Sequence, residues 1–416
     1  MSFVGWLDHS EEEQRRVREV LQMFRDRGTV DDLGIGTLRD AISNKLFPGS
    51  SVIQTRARYF LFIPWIFQHV ARSSSNTVLE RAEYLERRLI GALKQSADQD
   101  GLIGRQAGMD VRTLPSAVYW AGLTTYGIFR APGLTRSQYA RRARSAGRRA
   151  TPEDELAERR EGFWHPDIPP PPDGFFDLEY AEFAMTPDEA RWLSERILSW
   201  EATHGRCLLG DHLRQLRRRP RALPDHFWEG TLPEGAAERT QRLVHHAERF
   251  SLLVEGAAIV YNLMLHEQRD DQARGDPEAV ETLRAHLAEW SGDAQIVGVP
   301  AWTAEREEFF ALVDPTRRVP PPSRAFAEAV MDALATRRLD RLDRDTDFRR
   351  LIRRREAQHK RNLARFHGGP RLATWEGNSG LRRLDYRWGQ VRRFLNDIRH
   401  GLENTGGSRR PRHAAH

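Results

Sequence analysis

Apolar positions recur at helical spacing along most of this chain. Val17, Val20, Leu21 and Phe24 share one face. Ser10 and Glu13 before them form a capping box, in which two side chains three residues apart bond each other's backbone N–H groups. Thr186-Pro187-Asp188-Glu189 sets a cap, a first-turn proline and a return carboxylate ahead of Trp192, Leu193 and Ile197. Thr231 with Glu234 opens a longer segment through Val244, Phe250, Leu253, Val254 and Ile259 to Met264, with Gly256 as the point where it would break. The same period marks 76–95, 114–129, 278–290 and 323–335. A last helix opens at Leu384-Asp385-Tyr386-Arg387-Trp388 and runs through Val391, Phe394, Leu395 and Ile398, with Asp385 placed to cap it. Period-two alternation is scarce, and 294–299 is its best strand candidate. The pattern predicts a mainly α, multi-helical protein of two or three packed helical subdomains with at most a short hairpin.

Breaks in the pattern set the expected organisation. An N-terminal helical domain covers 1–130, and a charged, proline-rich linker or long surface loop covers 131–185, including Pro169-Pro170-Pro171-Pro172. A central helical domain follows over 186–318. An arginine-rich helical region spans 319–403 after Val319-Pro320-Pro321-Pro322, and 404–416 reads as a disordered Gly, Ser, Arg and His tail. A length of 416 residues accommodates two or three domains, and 39% apolar with 30% charged residues describes a soluble globular chain. No apolar run is long enough to span a membrane, and the N-terminus lacks the basic-then-apolar pattern of a signal peptide. One cysteine, Cys207, excludes an internal disulfide framework and a multi-cysteine zinc site, so the expected compartment is the cytoplasm.

Charge changes the picture only where it clusters. The chain holds 65 basic and 59 acidic residues, and Lys45, Lys94 and Lys360 are its three lysines, so arginine carries the positive charge. The densest informative stretch runs from Asp32 to Trp65. As a helix-turn-helix, Thr37 to Phe47 would be the first helix, Pro48-Gly49-Ser50 the turn, and Ser51 with Gln54 the capping box of the second. Gln54, Thr55, Arg56 and Arg58 would then face a major groove, where Gln suits adenine and Arg suits guanine. Against this, Tyr59, Phe60, Phe62, Ile63, Trp65, Ile66 and Phe67 make the second helix apolar nearly all round. That favours burial, with Arg56 and Arg58 paired to acids such as Asp32 or Asp40.

A second cluster holds Arg349, Arg350, Arg353, Arg354, Lys360 and Arg361 on one helix whose apolar side carries Phe348, Leu351, Ile352 and Leu363. Its outward face suits phosphate contact or plain solvation, and Asp340, Asp343, Asp345 and Asp347 before it could compensate part of the charge. Arg141 to Arg149 would suit phosphate contact, but a flexible charged loop is the favoured reading. Glu255, Asn262 and His266 fall on one helical stripe, as an acid/base couple or as bonds to a neighbouring helix, the second being favoured. His245-His246 is adjacent and not i, i+4, which argues against shared metal ligation, and no metal or cofactor is expected. No phosphate-loop, H-E-x-x-H or G-x-S-x-G motif occurs, and no lysine has a carboxylate two residues before it (Ser43, Ala92 and Gln358 stand there). Cys207 beside Leu208 and Leu209 is a poor nucleophile setting.

Gly5-Trp6-Leu7-Asp8, Leu33-Gly34-Ile35-Gly36, Leu46-Phe47-Pro48-Gly49, the Gln54-Thr55-Arg56-Ala57-Arg58-Tyr59-Phe60 block and Leu384-Asp385-Tyr386-Arg387-Trp388 together resemble a bacterial family known as a domain of unknown function. The resemblance covers most of the chain and assigns no activity or catalytic residue. It implies company with helicases and phospholipase-D-like nucleases in genome-defence clusters. The expectation is a non-catalytic accessory subunit of an antiviral defence or DNA-processing complex. It would contact DNA, RNA or such a helicase or nuclease partner through arginine-rich surfaces, with no membrane role. The rivals are an enzyme with its site near Glu255 and His266 or in 340–347, and a scaffold docking through 169–172.

Overall fold

In a computed structural model of the chain, residues 31–404 are described apart from 73–76, 148–161, 220 and 271–276. The Ser10–Glu13 capping box, the Gly5-Trp6-Leu7-Asp8 motif, Arg148 and Arg149 and the tail from 405 onward lie outside the described residues. Every regular element among the described residues is a helix, as the hydrophobic period predicts. Extended pairing is confined to one isolated antiparallel bridge between Phe129 and Trp164.

The N-terminal part contains α1 (Gly36–Leu46), α2 (Tyr59–Arg72), α3 (Val78–Leu93), α4 (Pro115–Thr125) and α5 (Arg136–Gly147). Asp31 starts α1: its carboxylate accepts the N–H groups of Ile35 (2.7 Å) and Gly36 (2.8 Å), two donors a helix start otherwise leaves open. Helix α2 is buried along almost its whole length, Tyr59 to Phe67 without interruption, and Pro64 sits inside it. A helix so apolar must be surrounded. Here α3, α4 and α5 pack on it, and the proline-rich strap covers a further side, with the Trp65 indole N–H donating to the Pro169 carbonyl (2.7 Å) and Phe62 stacked on Phe175.

Then follow α6 (Pro187–Ser199), α7 (Leu208–Arg218), the 33-residue α8 (Glu238–Asp270), α9 (Pro277–Val297), α10 (Arg306–Val313), α11 (Pro321–Thr336), α12 (Thr346–Lys360) and α13 (Trp388–Glu403). The capping box read at Thr186 and Glu189 is present with both reciprocal bonds. Helix α8, about 50 Å long at 1.5 Å per residue, is the axis on which α1, α9, α10, α11 and α12 pack. Three readings are corrected here. Thr231 and Glu234 do not open α8: a turn at Glu234 and Gly235 precedes it and the helix starts at Glu238. Nor does α8 break at Gly256. The missing side chain admits the Trp290 ring, since a Cβ there would lie 2.2 Å from it, and the indole N–H donates to the Leu252 carbonyl (2.9 Å). The strand candidate at 294–299 is the last turn of α9, ending at Val297, followed by Gly298 and the start of a short helix at Val299. Leu283, Leu287, Trp290 and Ala294 face the core at helical spacing while Ile296 points to solvent.

Most of the buried apolar residues from Leu33 to Ile398 form one contiguous cluster. Helix α13 packs on α6 and α7, so the last helix closes against elements near the middle of the chain. No helix among the described residues is long and apolar enough to cross a membrane.

Candidate functional site

The segment before α2 is a run of turns, and its polar side chains point inward. Gln54 is buried, donates to the Gly49 carbonyl (3.2 Å) and accepts the Ser51 N–H (3.1 Å), which ties the turn to itself. The Tyr119 hydroxyl accepts the N–H groups of Thr55 and Arg56 and donates to the Arg56 carbonyl (2.8 Å). Arg56 grips the Asp397 carboxylate through Nε (3.0 and 3.1 Å) and Nη2 (2.9 Å), and gives Nη1 to Asp98 (2.7 Å) and the Asp100 carbonyl (2.9 Å). Burial disfavours the Arg56 cation, but the bonds to Asp397 and Asp98 outweigh it and raise its pKa above the ordinary value. Arg58 donates to Glu189 (2.8 Å), the same carboxylate that caps α6, and to the Glu182 carbonyl (2.9 Å).

The recognition-helix reading of Gln54, Thr55, Arg56 and Arg58 is therefore overturned. No second helix starts at Ser51, and both guanidiniums are buried against acids and the Phe183 and Phe62 rings. The partners are Asp397, Asp98 and Glu189, not Asp32 or Asp40. The other motif residues make similar joints. Arg355, buried on α12, donates to the carbonyls of Leu33 (2.6 Å) and Gly34 (2.9 Å) and to Ser323 (3.0 Å). A side chain on Gly34, whose φ is +65°, would collide with that guanidinium. Tyr386 donates to the Ala247 carbonyl (2.7 Å), and Arg387 reaches back to Asn44 (2.7 Å) and the Ser50 carbonyl (2.8 Å).

The cluster on α12 divides in two. Arg349 is held by Glu267 (2.6 Å) and the Asp343 carbonyl (2.8 Å), and Arg350 by Asp347 (2.9 Å). Lys360 is bonded to Asp32 in a half-buried network with Arg365, Tyr261 and Glu356, which removes it from a surface role. Arg353, Arg354 and Arg361 are exposed and have no carboxylate partner among the described residues, Arg353 lying over the Phe366 ring at 5.2 Å. The acids before the helix do not converge on one centre: Asp345 caps α12 through the Phe348 N–H (2.8 Å) and also bonds Arg337, and Asp340 pairs with Arg338.

On α8, Glu255 holds Arg383 (2.8 Å) and His286 (3.2 Å). Asn262 bonds both the N–H and the carbonyl of Ser379, and His266 bonds the Gly377 carbonyl (2.9 Å). The stripe fastens the 375–383 loop, and only Glu255, through His286 on α9, also bonds the neighbouring helix that the favoured reading expected. The adjacent pair needs correction, because His245, His246 and Glu305 offer ligand atoms within 4.8 Å of one another despite the i, i+1 spacing. Two features oppose a cation there. The Trp302 indole N–H donates to His246 Nδ1 (2.8 Å), which leaves the ring proton of the neutral imidazole on Nε2, and the Arg242 guanidinium already bonds Glu305 and Glu308. Burial, then the neighbouring His245, pushes His246 down to about 4.

A family model described as a family of unknown function matches residues 1–401 of the chain. No curated protein and no solved structure matches it.

Proposed function

The chain belongs to the family of unknown function DUF6361, and from that premise we propose a protein that contacts nucleic acid through the outer face of α12 and the turn after it. The observation that carries this reading is the contrast within one cluster. Arg349, Arg350 and Lys360 are neutralised by carboxylates, whereas Arg353, Arg354 and Arg361 stand exposed and without a carboxylate partner among the described residues. Unpaired guanidiniums on a rigid helix are suited to phosphate oxygens, and they position a backbone without reading sequence. The role is that of an accessory subunit in a defence or DNA-processing complex, working beside a helicase or nuclease that supplies the chemistry.

Salt-dependent binding of duplex DNA tests it. Three phosphate contacts give log K a slope of roughly −2.7 against log salt, at about −0.9 per contact. Absence of binding at low salt, or affinity indifferent to salt, would remove the direct-contact role.

A further inference from the structure

We propose that the cavity between the end of α1, the 200–208 turn and the start of α8 is a binding site for a phosphate group. The cavity has a volume of about 270 Å³ and takes Lys45 from α1, Trp200, His204 and Arg206 from the turn, and Arg239 and Thr240 from α8.

Three observations converge. Lys45 and Arg239 make no ion pair or hydrogen bond with any described residue, although Lys45 is half-buried. Thr240 lines the cavity and is 2% exposed, and its buried hydroxyl has no hydrogen-bond partner among the described residues. The first turns of α7 and α8 both meet the cavity, so the positive ends of two helices add to the lysine and arginine. Three acids nearby already hold other groups. Asp314 accepts the N–H groups of Arg318 (2.7 Å) and Val319 (3.1 Å), Asp211 holds Arg206 and Arg214, and Glu201 holds Arg214 and the Cys207 N–H.

Burial, then the like charge of Arg239, lowers the Lys45 pKa against the pull of Asp314, which is what a cation awaiting an anion experiences. A tetrahedral phosphate offers acceptors to an ammonium, a guanidinium and a hydroxyl at once. At about 30 Å³ per water, the cavity also has room beyond the phosphate for an organic group. Trp200, stacked on His204 at 4.5 Å, supplies a flat aromatic wall for one. The site shares no residue with the α12 face and stands independently of the nucleic-acid reading.

Isothermal titration calorimetry of the full chain with inorganic phosphate, adenosine monophosphate and adenosine decides it. Binding of the monophosphate and not of adenosine is expected, with at least a tenfold loss in Lys45→Met and Arg239→Gln and a smaller loss in Thr240→Val. Inorganic phosphate binding as well would mark the group alone as sufficient; its failure beside a binding monophosphate would assign part of the affinity to the Trp200 wall. No heat with either phosphate, adenosine binding as tightly as its monophosphate, or affinity unchanged in the variants would overturn the proposal. Arg239 is exposed, so Arg239→Gln decides the outcome should Lys45→Met fail to fold. Arg353, Arg354 and Arg361 variants leave this binding unchanged, which separates it from any failure of the duplex-binding test.

Discussion

The Arg56 guanidinium closes on the Asp397 carboxylate across 341 positions of chain, and the same carboxylate accepts the Ala57 N–H at 2.8 Å. Both side chains are nearly sealed from water, and the Arg56 cation, which also holds Asp98, is the counter-charge of the buried Asp397 carboxylate. Arg56→Met leaves the acid buried beside Asp98 without its counter-charge and is expected to cost about 3–5 kcal/mol. Arg56→Lys recovers little, because an ammonium cannot reproduce a fork that spans Asp397, Asp98 and the Asp100 carbonyl. Arg56→Met with Asp397→Leu recovers most of the loss. Urea denaturation of the four proteins checks the ordering.

Gly256 and Gly292 form a matched pair on two packed helices. A methyl group on Gly256 collides with Trp290, whereas none of the atoms around Gly292 lies within 4 Å of the added Cβ. Gly256→Ala should destabilise by about 1–3 kcal/mol from overpacking. Gly292→Ala should stabilise by up to about 1 kcal/mol from helix propensity. Opposite shifts in melting temperature are the expected reading.

Stability should respond to pH from two sides. Burial raises the Glu86 carboxyl from its ordinary 4.5 to about 7, against the Ser116 N–H that it accepts. The native state then binds the extra proton, so this stabilisation is complete below pH 4.5 and is lost as pH rises through 7. His212 behaves oppositely. Burial lowers it from 6.5 to about 4, so its stabilisation is present above pH 6.5 and is lost as pH falls through 4. Glu86→Gln should flatten the alkaline fall between pH 5 and 8 while leaving the acid limb unchanged. Chemical denaturation at stepped pH measures both limbs.

What could be read from the sequence depends on how far each partner lies. Thr186 and Glu189 satisfy each other within four residues, so their helix start is visible in the letters alone. The stripe of Glu255, Asn262 and His266 is visible as a stripe, but what it fastens, the 375–383 loop, is more than a hundred positions away for Asn262 and His266. Ser51 and Gln54 carry a capping-box pattern without a helix, because tertiary bonds from Tyr119 and Asp397 hold the following backbone in turns. The cavity lined by Lys45 and Arg239 corresponds to no motif along the chain. Its unpaired cations, Lys45 and Arg239, come from α1 and α8, and their lack of an ion pair among the described residues is a property of the assembled fold.

The α12 face gives a separate expectation. Replacing Arg353, Arg354 and Arg361 together by alanine should bring the duplex-binding salt slope from roughly −2.7 close to zero while leaving the melting temperature nearly unchanged. Arg349→Ala should do the reverse, lowering stability modestly through loss of Glu267 and the Asp343 carbonyl and sparing the slope. Anisotropy titrations at several salt concentrations, run beside thermal melts, separate the two.

The distance between Arg56 and Asp397 also sets a clock on the ribosome. At roughly 5–20 residues per second, the 341 intervening positions take on the order of 20–70 s to synthesise. Throughout that interval the N-terminal helices exist with an arginine meant for the interior and no acid from α13 to receive it. The α2 region is made long before it can be sealed, so a nascent chain stalled before Asp397 presents it open and charged to whatever chaperone or protease attends it.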